Sequence, residues 1–218
     1  MQSKPVILLG AGGHAKVLLD ILLEQNAEIV GIAEKGGVER PTDLFGVPII
    51  GSDSDVERYS PREIELVNGI GSIGSTALRK RVYEKFKALG YRFRRVVHSS
   101  AVVSRWGELG EGVQVAAGAV INIGARIGEN SIVNTNASVD HDCVIGAHVH
   151  IAPGVTLSGG VIVGDGSHIG TGANVVQGVH IAKDVIVGAG ALVLQDLGDG
   201  AVVCGVPAKE MKIPTEYT

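Results

Sequence analysis

The stretch "GVQVAAGAVINIGARIGENSIVNTNASVDHDCVIG", residues 112–146, repeats every six residues. Counting in sixes puts Val115, Ile121, Ile127, Val133, Val139 and Ile145 in one register. The register extends outward to Val97, Val103 and Leu109 on one side. On the other it runs through Ile151, Leu157, Val163, Ile169, Val175, Ile181 and Val187 to Val193. All seventeen positions are Leu, Ile or Val, a run that chance does not produce. The residue after each is usually small, as at Gly110, Gly128, Gly146, Gly164, Gly170 and Gly188. Position five is compact too, as at Ala119, Ala125, Ser131, Ala137, Cys143, Ala173 and Ala191. Six residues are too few for a helix–turn unit but suit one short strand and one turn. The period therefore predicts a parallel β-helix whose branched residues stack inward, coil upon coil.

The first ninety residues follow another rule. "PVILLG" (5–10) reads as a buried strand, and "HAKVLLDILLEQ" (14–25) as a helix with Val17, Leu18, Ile21 and Leu22 on one face. "EIVGIAE" (28–34) reads as a second strand, completing a βαβ unit. "IELVNGIG" (64–71) predicts another strand and "STALRKRVYEKFKALG" (75–90) a helix with a Ser/Thr cap and a Gly stop. The expected organisation is a small α/β, Rossmann-like domain over 1–92 and a β-helix domain with a closing segment over 93–218.

Composition agrees. Thirty-two Gly, three Phe and one Trp describe an interior of small and branched side chains. The formal charge of −4 offers no broad basic surface, so nucleic acid is not an expected partner. No stretch of about 18 apolar residues predicts a membrane span. The apolar start is broken by its glycine loop and reads as strand and helix of a cytoplasmic protein, and Cys143 and Cys204 form no redox or metal motif.

Three features carry possible chemistry. "GAGGHA" (10–15) falls between a predicted strand and helix, where glycine backbone and a helix N-terminus receive phosphate. The ligand could be a nucleotide-linked substrate or a dinucleotide, or the motif a tight turn only; ninety residues are few for a dinucleotide fold. Glu34, ending the second strand, is placed to meet ribose or base, or to be a solvated turn acid. Of seven histidines, His141 stands between Asp140 and Asp142, two residues past inward-facing Val139 and so near a coil corner. Asp142 could hold its tautomer and stabilise an imidazolium, as a general base requires. Eighteen residues away lie Ile123 and Gly159; the glycine leaves space and a backbone N–H for an oxyanion. Cys143 falls at the compact fifth position and reads as packing. The histidines lack the spacing of the metal sites known in trimeric β-helices, so no metal is expected.

With "GAGGHA" at the start, "NTNASVDHDCVIG" (134–146) in the middle and "GVPAK" (205–209) near the end, the whole chain resembles the bacterial sugar acyltransferases that set a nucleotide-sugar-binding domain before a left-handed β-helix of hexapeptide repeats. These include N-acetyltransferases of UDP-linked 4-amino-sugars and of GDP-perosamine, and sialic acid O-acetyltransferases. The resemblance implies acetyl-CoA as co-substrate, a homotrimer, and N-acetylation of a nucleotide-linked amino-sugar at C4, with O-acetylation of a hydroxyl as the alternative. It implies His141 as base and Asp142 as its partner, with His150 and Gly159 at the thioester end of acetyl-CoA. Thr171, Ala189 and Lys209 would line the CoA groove, and Gly12, Gly13 and His14 would hold the sugar nucleotide's phosphates. Asn134 is a further candidate for substrate contact. Two departures stand out: "GIAEK" (31–35) where relatives have "FIDD" or similar, and "HSSA" (98–101) where "HPSA" is usual.

Overall fold

The structure, a computed structural model, describes residues 4–34 and 42–211; Lys35 of "GIAEK" lies outside them. Strands β1 (Val6–Leu9), β2 (Ile29–Ala33), β3 (Asp43–Leu44), β4 (Val47–Gly51) and β5 (Glu65–Asn68) form one sheet in the order β3-β4-β2-β1-β5. Its pairings are parallel except β3 with β4. Helices α1 (Gly13–Glu24), α2 (Asp53–Val56) and α3 (Ala77–Ala88) complete the domain. The predicted βαβ unit, fifth strand and long helix are present; β3, β4 and α2 carry no clear period and were not anticipated. The expected cap on the last helix needs correction. Thr76 is the N-cap residue, but its hydroxyl donates to Gly166 O at 2.9 Å, across to the second half of the molecule. Ser75 Oγ instead accepts the Ala77 N–H.

From Val96 onward the chain winds into a parallel β-helix. Seventeen two-residue strands, β6 (Val96–Val97) to β22 (Leu192–Val193), recur every six residues, and each ends on the Leu, Ile or Val of the hexad. Up to β19 each pairs with the strand eighteen residues on, as Ile121 with Val139 and Val133 with Ile151. Three strands make a coil, so the strands stack into three faces. Face one begins with β6, face two with β7 (Val102–Val103) and face three with β8 (Glu108–Leu109). Strand β23 (Val202–Cys204) extends face one, and β24 (Lys209–Glu210) folds back antiparallel on it, so the "GVPAK" segment closes the end. The hexad residues fill a single core; Val139, Ile151, Leu157 and Ile169 are fully buried there.

From Gly112 to Gly190, each of fourteen corners carries a residue with positive φ at the fourth hexad position. Nine are glycines, from Gly112 (φ 67°) to Gly190 (φ 67°), while Asn130, Asn136, Asp142, His148 and Asp184 stand there at φ 54–59°. Asn, Asp and His are the side chains best able to adopt this region. The small residue after each hexad position has a steric cause where faces three and one meet. A Cβ on Gly128 would lie 2.4 Å from the Gly146 carbonyl carbon, and one on Gly164 2.6 Å from that of Ala182.

The two halves share an interface on face one and its corner with face three. Arg79 of α3 is fully buried and donates to Asn68 O, Ile70 O and, across the interface, Asn130 O. Lys87 pairs with Glu111 at 2.8 Å. Phe93 still bridges to Leu66 of the first sheet, and Val96 already pairs with Gln114.

Gly128→Ala is expected to destabilise the protein by about 1–3 kcal/mol, as overpacking against backbone does. The unfolding midpoint in denaturant checks this; an unchanged midpoint would mean that the coils are spaced more loosely than described.

Candidate active site

The glycine loop opens onto a cleft of about 870 Å³ between the two halves. Helix α1 starts at Gly13 with Gly12 as N-cap, no side chain capping it and no acidic residue in its first turn. Its first N–H groups therefore carry the positive end of the helix dipole unopposed. A Cβ on Gly12 or Gly13 would meet nothing within 4 Å, because the space before them is the cleft. Glu34 lies on its wall and its Oε2 accepts the Ala11 N–H at 2.5 Å, which fixes the loop. Of the two sequence readings, Glu34 is thus no solvated turn acid.

The β-helix closes the cleft with Asn134, Thr135, His150 and Pro153. His150 is 7% exposed. Its surroundings set its tautomer. Asn134 Oδ1 accepts the Thr135 N–H at 2.8 Å, so the Asn134 amide nitrogen is the atom facing His150 Nε2 at 3.1 Å. Nε2 is then the acceptor, and Nδ1–H donates to Ser72, whose Oγ is 2.6 Å away. Burial and the neighbouring His168 and His14 push the His150 pKa down to about 3. His14, at the start of α1, is likewise held neutral, its pKa pushed down to about 4 by burial and by Arg79.

His141 stands elsewhere on the molecule. Asn134, Thr135 and Pro153 occupy the corner between faces one and two, whereas residues 140–143 turn the next corner, between faces two and three. There His141 Nδ1 meets Asp142 Oδ2 at 2.9 Å, with the side chains 50% and 73% exposed. The hydrogen bond to Asp142, helped by the charges of Asp140 and Asp142, raises the imidazole pKa above its ordinary value. Asp140 serves the turn: its Oδ1 accepts the His141 N–H at 2.7 Å and the Asn122 amide at 2.9 Å. Gly159 lies directly against the ring, since a Cβ there would sit 2.4 Å from His141 Nε2. Among the described residues the Gly159 N–H donates to no protein acceptor. Cys143 is fully buried, its thiol pKa raised by burial and its Sγ 3.2 Å from Ser158 O.

The predicted site residues therefore form two groups within one chain. Gly12, Gly13, His14, Glu34, Asn134 and His150 line the cleft. His141, Asp142 and Gly159 occupy the next corner. Thr171 and Ala189 are exposed and continue the cleft's corner upward, their turns linked by Gly172 N–H to Pro153 O and Gly190 N–H to Thr171 O. Lys209 is exposed on β24. Ser72 and Gln114 were missed. Gln114 is 1% exposed at an outward-facing strand position, and only knowledge of which face the first domain covers would have singled it out. Among the described residues, no group of three or more His, Cys, Asp or Glu side chains is placed to hold a metal ion, and no helix is long and apolar enough to cross a membrane.

Comparison with known proteins places this arrangement in a class. Residues 5–86 match the PglD N-terminal domain, and residues 124–159 match the bacterial transferase hexapeptide, six repeats. No curated protein sequence matches the chain. The acetyltransferase domain of PglB from Neisseria gonorrhoeae, solved in complex with acetyl coenzyme A, is 34% identical with a TM-score of 0.88, over 96% of this chain and 100% of that one. PerB from Caulobacter crescentus, solved with CoA and GDP-perosamine, is 39% identical with a TM-score of 0.87, over 95% and 97%. A perosamine N-acetyltransferase variant from the same organism, with a histidine replaced by asparagine and the same two ligands, is 38% identical with a TM-score of 0.88, over 96% and 97%. The chain belongs to the hexapeptide-repeat sugar acetyltransferases with a PglD-type N-terminal domain and is an acetyl-CoA-dependent acyltransferase.

Two titrations follow from the site. In histidine NMR, the His141 midpoint is expected above the ordinary value, and Asp142→Asn should lower it. For His14 and His150 the folded pKa lies below the unfolded value near 6.5, so their contribution to stability is complete above that pH and is lost as pH falls toward 4 and 3. Unfolding free energy measured at pH 5 should be lower than at pH 7 by on the order of 1–2 kcal/mol for each. No loss between these pH values would refute their burial as neutral rings.

Proposed function

We propose that the protein transfers the acetyl group of acetyl-CoA directly to the amino group, at C4, of a nucleotide-linked amino-sugar such as GDP-perosamine or a UDP-4-amino-sugar. The single observation that carries this reading is the pairing of an uncapped glycine helix start with a His–Asp pair stacked on a glycine, in a chain whose relatives were solved with acetyl-CoA, CoA and GDP-perosamine. Gly12 and Gly13 receive the diphosphate, with Glu34 and Asn134 at the ribose and sugar. The amine attacks the thioester carbon, His141 Nε2 takes the proton that the amine loses, and Asp142 steadies the imidazolium at Nδ1. The oxyanion is met by the Gly159 N–H, and as the C–S bond breaks the leaving thiolate takes the proton from the His141 imidazolium, so CoA departs as thiol and the histidine is neutral again. His150, neutral and fully bonded, bounds the thioester end without exchanging a proton. Thr171, Ala189 and Lys209 line the pantetheine and nucleotide path of CoA. No acetyl-enzyme is required, because both reactants are held together.

The separation of the two groups on one chain supports a homotrimer. The His141 corner of one subunit then completes the cleft of the next. Ile123, directly under His141 in the stack, is 56% exposed, and Trp106 at the same corner 63%, so the corner offers apolar surface for such a contact. Among the described residues the cleft lining holds no lysine or arginine, which speaks against nucleic acid as its occupant, and a cytoplasmic nucleotide-sugar pool is the proposed source of substrate. Transfer to a sugar hydroxyl would use the same base and is the second reading.

Thiol release from acetyl-CoA in the presence of GDP- and UDP-linked amino-sugars tests the activity. His141→Ala should lower turnover by about 10² or more, and Cys143→Ala should leave it near the starting level. Mixing His141→Ala with Gly13→Glu subunits tests the shared site: each variant alone is inactive, and random trimers should regain about a quarter of the sites. No regain would place base and cleft in the same subunit.

A further inference from the structure

His14 is bonded in a way that decides what it can recognise. The Gln114 amide nitrogen donates to Asn68 O at 2.8 Å, and a carbonyl can only accept. The Gln114 atom 2.7 Å from His14 Nε2 is therefore the amide oxygen, and Nε2 must carry the proton that it receives. Asn68 is fixed in turn: its carbonyl also takes Arg79 Nη1 at 2.7 Å, and its side-chain nitrogen donates to Arg79 O and Asn130 Oδ1. The tautomer of His14 is thus set by an amide chain that ends on a fully buried guanidinium. Nδ1 is left with a lone pair, no protein partner among the described residues and no place among the buried orphan atoms, on a side chain that lines the cleft.

A lone pair repels phosphate oxygens, which are themselves acceptors. The donors for phosphate are the N–H groups of Gly12 and Gly13 beside it. We propose that His14 does not hold the diphosphate but reads the sugar, its Nδ1 accepting a hydrogen bond from a hydroxyl or amino group of the hexose. The inference rests on the nucleotide-sugar reading of the cleft and departs from the expectation that His14 holds phosphate. Burial keeps the ring neutral and weakly basic, which suits an acceptor that positions a group over one that removes its proton.

The two roles separate in binding measurements on the full-length protein, with two probes: the nucleoside diphosphate, GDP or UDP, that binds the wild type, and the same nucleotide carrying a 4-amino-4,6-dideoxyhexose. His14→Ala should leave the diphosphate Kd within about twofold and weaken the sugar nucleotide about tenfold, the loss of one hydrogen bond from a sugar group. His14→Asn, which returns an acceptor near the Nδ1 position, should recover part of the loss, and His14→Gln, which reaches toward the Nε2 position, should not. In the wild-type protein with 15N-labelled histidine, the unprotonated Nδ1 signal of His14 should move on adding the sugar nucleotide and stay on adding the diphosphate. Equal weakening of both probes, or a movement of Nδ1 with diphosphate alone, would overturn the inference and leave the nucleotide-sugar reading standing. Failure of either nucleotide to bind the wild type would overturn both.

Discussion

A triangular coil of two-residue strands closes only if the chain reverses sharply at its corners, and from Gly112 to Gly190 every reversal uses one residue in the left-handed region. That constraint places the chemistry. Where the corner residue is glycine, the turn carries no side chain; where it is Asp142, the same backbone that turns the coil delivers a carboxylate to its neighbour's imidazole. Aspartate tolerates this region at modest strain because its short polar side chain can bond locally, and here its partner is the ring at the preceding position. Asp140 grips the His141 N–H and the Asn122 amide of the coil below, so the turn is held from both sides. His141 is therefore exposed yet fixed in direction.

The second constraint is the junction between the halves. Arg79 is buried without a carboxylate partner, and burial lowers its pKa to about 9. It is kept by carbonyls: Asn68 O and Ile70 O in its own domain and Asn130 O in the β-helix. A lone cation bonded only to carbonyls is expensive, and removing its partners would leave it more so. The junction therefore has a defined geometry, and the cleft that it walls inherits that geometry through Asn68, Gln114 and His14.

Much of this was legible in the sequence. The hexad register located the seventeen two-residue strands of the β-helix, the stacking of Gly159 on His141 and the burial of Cys143, because a strict period converts residue number into position in space. It did not show why position four matters, since Asn, Asp and His there look like ordinary polar residues until the φ values are known. The first domain was read only in part: β3 is two residues long, and β4, though five, carries no alternation that distinguishes it from loop. The cleft was readable in part, with Asn134 and His150 of its β-helix wall among the candidates. "GAGGHA" announces itself, whereas Ser72, Gln114 and Asn68 are ordinary polar residues whose meaning comes from the face that packs against them. A non-local hydrogen bond such as His14 with Gln114 joins residues 100 apart and leaves no periodic trace.

The three histidines singled out for function illustrate how one side chain is set to different tasks by its partners. His141 has a carboxylate on Nδ1, which favours the charged form, and the Gly159 backbone against Nε2, which has no protein hydrogen-bond partner among the described residues. His150 donates at Nδ1 and accepts at Nε2, so both ring nitrogens are spent and the ring is a wall. His14 has one nitrogen spent and one free, and burial denies it a proton. The order of these environments follows from topology: an exposed corner, a covered strand, and a helix start pressed onto that strand. If base and cleft belong to neighbouring subunits, then the division is also one between chains. His14 and His150 stand as neutral rings on the cleft wall, and His141, at the exposed corner, is the one of the three whose hydrogen bond to a carboxylate outweighs the desolvation that opposes its charge.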